Sequence, residues 1–381
     1  MFEIKKPNDV VSYLNKSFFS FTDKAYKEKL DKSYKQRIND QRNILLNNKF
    51  NNSFLTNFRH PLSKSIIVEQ HLFNGYPRPK ISEFKKIIKY YILHILKYLH
   101  PFYYAEKDWL KWSFNRYKLC IKNALKNDSL NFIGNPPYIN TKNFKWNLRH
   151  LRYLIIRETL YSTLGRKKIS DIKSVLDIGG CYGGYISLLA KDNPHRSYVL
   201  VDLAENIPLA AYYLSSAHPS MRINVLTHKG DKCRNIPNTF TLIPAHLFKS
   251  IKFDNFDLLC NFVSLAEMSR VHFDEYVNSE VYKNSKYLHL VNRIVSAPFF
   301  SRGSNPHTWM ESSQNYFDYG LGFREDKFFD IFPLYHFFPM AEDKNNNPLE
   351  YKFTTIKSFF LNWTRSPITS QYFQSITEFK T

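Results

Sequence analysis

Four of the chain's 11 glycines fall within residues 179–184. The run reads Val175-Leu176-Asp177-Ile178-Gly179-Gly180-Cys181-Tyr182-Gly183-Gly184. Ser174 to Ile178 is a short apolar strand, and helical spacing resumes at Tyr185 and holds to Ala190. A glycine-rich turn from strand to helix lets backbone approach a ligand closely and aims helix N–H groups at it. The chain after it keeps the same alternation. Tyr198–Asp202, Thr239–Pro244, Phe256–Phe262 and Tyr287–Val295 read as strands. Ile207–Ser216 and Phe273–Asn284 read as helices. Strands alternating with helices predict an α/β fold with a Rossmann-like, doubly wound parallel sheet.

The glycine spacing narrows the ligand. A dinucleotide fingerprint, G-x-G-x-x-G, fails because Cys181 stands where its second glycine belongs. No Gly-Lys-Ser/Thr ends the loop, so it is not a phosphate-binding P-loop. What remains is an acid closing the strand, Asp177, followed by Gly179 and Gly183. A second acid, Asp202, ends the next strand, where a carboxylate can accept both hydroxyls of a ribose. This arrangement resembles the class I S-adenosylmethionine-dependent methyltransferases over roughly residues 150–300. The resemblance implies S-adenosylmethionine as cofactor. It implies that the glycine loop cradles the methionine part and that Asp202 binds the ribose, with Asp177, Gly179, Gly180, Tyr182, Gly183, Asp202 and Leu203 as the expected cofactor-binding residues. Cys181 departs from the glycine usual in the middle of that loop.

Two signals compete for the acceptor. Asn135-Pro136-Pro137-Tyr138 matches the amino-methylating signature of adenine methyltransferases, in which Tyr stacks on a flipped base. It lies about 40 residues before the glycine loop, whereas that signature follows the fourth strand of the sheet. The fourth-strand slot is held by Phe256-Asp257-Leu258-Leu259-Cys260-Asn261-Phe262-Val263-Ser264. An adenine-N6 nucleic-acid methyltransferase is therefore the alternative reading. The second signal is an ordered set. It comprises Gly134-Asn135-Pro136, Leu148-Arg149, Leu151-Arg152-Tyr153, the glycine loop, Val201-Asp202-Leu203-Ala204-Glu205, Asn261 with Ser264 and Glu267-Met268, and Asn292. That order resembles the sugar O-methyltransferase family of bacterial surface-polysaccharide and O-antigen enzymes. Ala204 departs from its usual proline. The resemblance implies O-methylation of a sugar hydroxyl in a surface polysaccharide or its precursor.

A sugar hydroxyl is a poor nucleophile at neutral pH and needs a base during attack. In a doubly wound sheet the crevice opens beyond the strand ends. Glu267 is the first candidate base and His272 the second, its neutral imidazole suited to pH 7. Asn261 and Ser264 are candidates to orient the cofactor or acceptor, or to cap the following helix. Asp254 and Asp257 have no metal-like spacing, and no metal is expected. The aromatic run from Tyr316 through Phe338 reads as core packing or as a wall for the apolar faces of sugar rings.

Charge is divided unevenly. The chain has 381 residues and a net charge of +21. Residues 1–170 hold 33 Lys and Arg against 12 Asp and Glu, and residues 171–381 hold 21 of each. The whole excess precedes residue 170. The expected organisation is a mainly helical, basic region over 1–165 and a Rossmann-like methyltransferase domain with acceptor-binding elements over 166–381. Residues 82–99 read as an amphipathic helix with a lysine face. Codon bias, an anionic membrane surface and nucleic acid all account for such a region. The expected partners are a glycan, nucleotide-sugar or lipid-linked sugar acceptor and an anionic membrane face, with nucleic acid disfavoured. Four scattered cysteines argue against a disulfide framework or structural zinc. With no run of 18 apolar residues and no signal sequence, the expectation is a cytoplasmic protein, peripheral to the inner membrane face.

Overall fold

The computed structural model describes residues 1–16 except 8, parts of 128–146, 148–294 except 205, 314–331, 341–342, 348–349 and 372–380. Among them the principal elements are β1 (Phe2–Ile4), α1 (Asp9–Lys16), α2 (Leu148–Asp171), β2 (Ser174–Ile178), α3 (Gly184–Asp192), β3 (Ser197–Asp202), α4 (Ile207–Ala217), β4 (Arg222–Val225), β5 (Thr239–Pro244), β6 (Leu258–Phe262), α5 (Arg270–Val277), α6 (Glu280–Asn284), β7 (Tyr287–Arg293), β8 (Arg324–Ile331) and β9 (Tyr372–Phe379).

All nine strands join one sheet, in the order β1-β4-β5-β3-β2-β6-β7-β9-β8. The six central strands, β4 to β7, run parallel. β9 enters antiparallel between β7 and β8, and β1 closes the far edge antiparallel to β4. This is the Rossmann-like, doubly wound architecture expected from the alternating pattern. Central strands such as Ser-Val-Leu-Asp-Ile and Ser-Tyr-Val-Leu-Val-Asp are buried at every position, because helices cover both faces of a parallel sheet. β2 pairs with β3 on one side and β6 on the other, so the strand order reverses direction there. The crevice beyond the C-terminal ends of β2 and β6 is the topological switch point, where such sheets take ligands.

Two details differ from the sequence reading. The single helix expected over Phe273–Asn284 is two, because Ser279 adopts extended backbone and caps the second by accepting from the Tyr282 N–H. The 165/166 boundary falls inside α2, at Gly165 (φ 75°), while residues 2–4 of the basic segment join the sheet. The helix expected over 82–99 and Asn135-Pro136-Pro137-Tyr138 lie outside the described residues.

Polar staples fix the helices and the sheet edge. Arg157 of α2 is buried and pairs with Asp128 at 2.6 Å, Glu158 at 2.8 Å and Asp192 at 3.3 Å. Arg324, at the start of β8, is buried as well. It donates to the carbonyls of Lys283, Ser285 and Lys286 and to the Thr377 hydroxyl. No helix among the described residues is long and apolar enough to cross a membrane.

Candidate functional site

The glycine loop leaves β2 at Ile178 and enters α3 at Gly184. Gly179 has φ 74°, which L side chains rarely adopt, and its N–H donates to the Val201 carbonyl at 2.7 Å. A Cβ at Gly179 would stand 2.0 Å from Ser264 Oγ. The loop and the segment after β6 are therefore in contact across the switch point. Gly179→Ala is expected to cost about 2–4 kcal/mol of folded stability, since it combines left-handed strain with a collision. A urea midpoint equal to the wild-type value would show that the loop yields freely.

Gly180 serves another purpose. A Cβ there would come 2.3 Å from Asp177 Oδ2. The glycine lets the loop lie directly over the Asp177 carboxyl. Asp177 is fully buried, and neither of its oxygens has a hydrogen-bond partner. Burial, and secondarily the Asp202 charge, push its carboxyl up to about 8. An unpartnered buried carboxyl is costly, which makes Asp177 a candidate binding residue.

Asp177 also begins a row. Its register partner on β6 is Cys260, whose partner on β7 is His289, and all three are fully buried. Tyr185 of α3 covers the row, edge-on to Phe262 at 4.6 Å and to His289 at 6.3 Å. Burial drives the His289 imidazole down to about 3, so it is neutral at working pH. Gln374 of β9 lies 2.9 Å from its Nε2. This row was not legible beforehand, because cross-strand register has no signal in one chain's hydropathy.

Asp202, at the end of β3, grips the loop. Its carboxylate accepts the N–H of Cys181 at 2.6 Å, the N–H of Leu203 at 2.7 Å and the Asn206 amide at 2.6 Å. Burial raises its pKa, and these three donors oppose the rise by stabilising the charged form. Cys181 holds φ 55°, a left-handed geometry unfavourable for cysteine, and the Asp202 bond to its N–H helps to keep it there. Burial pushes the Cys181 thiol up to about 11. Leu203 meets the site through its backbone bond to Asp202. Tyr182 is buried with its ring edge-on to Tyr213 at 4.8 Å. Gly183 has φ 81° and ends the loop as the N-cap of α3.

Asn261 ties the two halves of the crevice together. It is fully buried. Its amide donates to the Ile178 carbonyl at 2.6 Å, and its Oδ1 accepts from Leu265 N–H and from Asn292. Asn292 in turn accepts the Ala266 N–H at 3.2 Å. The amide is thus spent on β2, on β7 and on the turn after β6. Val263 in that turn has φ 74°, an outlier for a β-branched residue, so strained backbone lies on both sides of the crevice.

The two candidate bases sit on successive elements after β6. Glu267 ends the short 3-10 turn Leu265–Glu267. His272 lies on α5, exposed, with Nδ1 3.5 Å from Glu275, which also pairs with Lys249 at 2.7 Å. Asp254 and Asp257 lie at the opposite end of the sheet. Asp257 accepts the N–H groups of Lys173 and Ser174 at the start of β2, and Asp254 accepts that of Asn235. Phe317 and Phe323, between β7 and β8, are 87% and 86% exposed.

No family model and no curated protein matches the chain. Solved structures with which it shares similarity include PKMT2 from Rickettsia typhi in complex with AdoHcy, at 18% identity. That match covers 32% of this chain and 21% of that one, with a TM-score of 0.25. PH0226 protein from Pyrococcus horikoshii is 12% identical over 59% of this chain and 91% of that one, with a TM-score of 0.29. An O-methyltransferase family protein from Burkholderia thailandensis is 10% identical over 61% of this chain and 58% of that one, with a TM-score of 0.26.

Proposed function

We propose that this chain is an S-adenosylmethionine-dependent O-methyltransferase that acts on a sugar hydroxyl of a bacterial surface polysaccharide or its precursor. The observation that carries the cofactor is Asp177. It is a fully buried, unpartnered carboxyl at the switch point, under a loop whose glycines leave room for nothing but backbone. Such a carboxyl suits the ammonium of the methionine end. Asp202, which shapes the loop, has acceptor capacity left for the ribose, because an ionised carboxylate offers about four lone-pair sites and three are used.

When bound, the sulfonium supplies an already activated methyl group, so the chain's task is to position the acceptor and take its proton. The glycine loop fixes the donor side. The turn after β6, locked by Asn261 and Asn292, fixes the acceptor side. Glu267 on that turn is the base that takes the hydroxyl proton. What supports a sugar is the order of motifs running from Gly134 to Asn292, together with the exposed aromatic ring of Phe317, which suits the apolar faces of pyranoses.

Glu267→Gln is expected to lower kcat by about 10²- to 10⁴-fold while leaving S-adenosylmethionine affinity unchanged. Unaltered turnover would remove Glu267 from the chemistry and leave His272 to be examined in the same way. Acceptor class is read by incubating the wild type with methyl-labelled cofactor and bacterial extract. Label entering glycan supports the reading, and label confined to DNA or RNA replaces it with the nucleic-acid alternative.

A further inference from the structure

We propose that Arg149 is the carboxylate-recognition residue of this cofactor site, holding the acidic end of the methionine part while Asp177 holds its amine. The inference rests on the cofactor assignment above and adds a residue to it. Arg149 is in the first turn of α2, the 24-residue helix Leu148–Asp171. Four residues on, Tyr153 shares its face. Tyr153 lies against the loop, 2.7 Å from the position a Cβ on Gly184 would take, and 6.2 Å from the Tyr185 ring. The same face one turn earlier brings the Arg149 guanidinium onto the loop itself, where it hydrogen-bonds the Cys181 side chain.

Electrostatics then assign the role. The methionine end carries an ammonium and a carboxylate. Asp177 and Asp202 are both buried under the loop and favour the ammonium, but they repel a carboxylate in the same cleft. A cation at the loop is needed to admit it. Arg149 is half-buried at the loop, and the first turn of its helix contains no acidic residue. The N–H groups of that turn add positive potential in the same place. A planar guanidinium meets a carboxylate with two parallel bonds, which a lysine cannot reproduce.

The test truncates the ligand as well as the protein. Calorimetry compares S-adenosylmethionine with its decarboxylated analogue, which keeps the sulfonium, amine and nucleoside and lacks only the carboxylate. The wild type is expected to prefer the full cofactor by about 10- to 100-fold, the scale of charge-assisted hydrogen bonds. In Arg149→Gln that preference is expected to collapse to about 1- to 3-fold, with the analogue's affinity unchanged. Arg149→Lys is expected to fall between the two. A variant that weakens both ligands equally, or a wild type that binds both equally, overturns the assignment and leaves Arg149 a support of the loop. A wild type that binds neither ligand overturns the cofactor reading itself.

Discussion

Replacing Asp177 by asparagine is expected to make the ligand-free protein more stable and to remove its affinity for S-adenosylmethionine. The carboxyl is fully buried without a hydrogen-bond partner and sits near Asp202. Its pKa of about 8 in the folded chain exceeds the unfolded value of about 3.9. The folded state therefore keeps a proton that the unfolded chain releases. The stability tied to that proton is fully present below about pH 4 and is lost as pH rises toward 8. The asparagine amide would not titrate, so the stability difference between variant and wild type should widen from pH 5 to pH 8 by about 2–4 kcal/mol. Binding should move the other way, falling by at least about 100-fold, because a neutral amide cannot pair with the ammonium. Urea unfolding at the two pH values and calorimetry at pH 7.5 read both effects. A gap that does not widen with pH would mean that Asp177 is ionised and already compensated, and its place in the site would fall.

Asp202→Ala is expected to fail in the opposite sense, losing both stability and binding. It removes an acceptor from three donors, two of them backbone N–H groups in tight turns. Leaving those part-buried donors without their acceptor costs about 2–4 kcal/mol together. The Cys181 backbone then loses the bond that helps to hold its left-handed geometry, and the loop loses its shape over Asp177. The expected loss of cofactor affinity is about 1.5–3 kcal/mol beyond the stability cost, the scale of a charged hydrogen bond. Asn206→Ala removes only one of the three bonds and separates the contributions. It should lower stability by about 1 kcal/mol and leave binding near the wild-type level. A folded Asp202→Ala protein with unaltered affinity would confine Asp202 to architecture.

These two acids stood out in the sequence because each closes an apolar strand, and the strands themselves were legible for the same reason. Thr239–Pro244 is found with the expected bounds, and β2, β3, β6 and β7 lie within or close to theirs. The strands that escaped are those whose burial is not apolar. β8 reads Arg-Glu-Asp-Lys-Phe-Phe-Asp-Ile, an edge strand with a charged first half. β9 buries Gln374, Ser375 and Thr377 between β7 and the edge strand β8, where His289 and Arg324 supply partners for two of them. Hydropathy counts such residues as surface, and only the partners reveal otherwise. β1 and β4 have three and four residues, too few for a period to register. The site divides along the same line. Asp177, the glycines and Asp202 follow from local spacing. Asn261 was a candidate ligand by position, while its hydrogen bonds to Ile178 and Asn292 arise from strands 83 and 31 residues away.

The position of β9 also sets an order on the molecule's own assembly. β7 pairs with it along seven residues and β8 along another seven, so β7 lacks its outer neighbour and β8 its sheet partner until residues 372–379 arrive. A chain emerging from the ribosome can therefore form the glycine loop and its Asp202 grip early, from contacts 21 residues apart. It must hold the flank of the crevice with an open, largely apolar β7 edge until the chain reaches Phe379. Such an edge is where strands of neighbouring chains pair by mistake. Truncation after β8 should for that reason yield aggregates rather than a smaller folded protein.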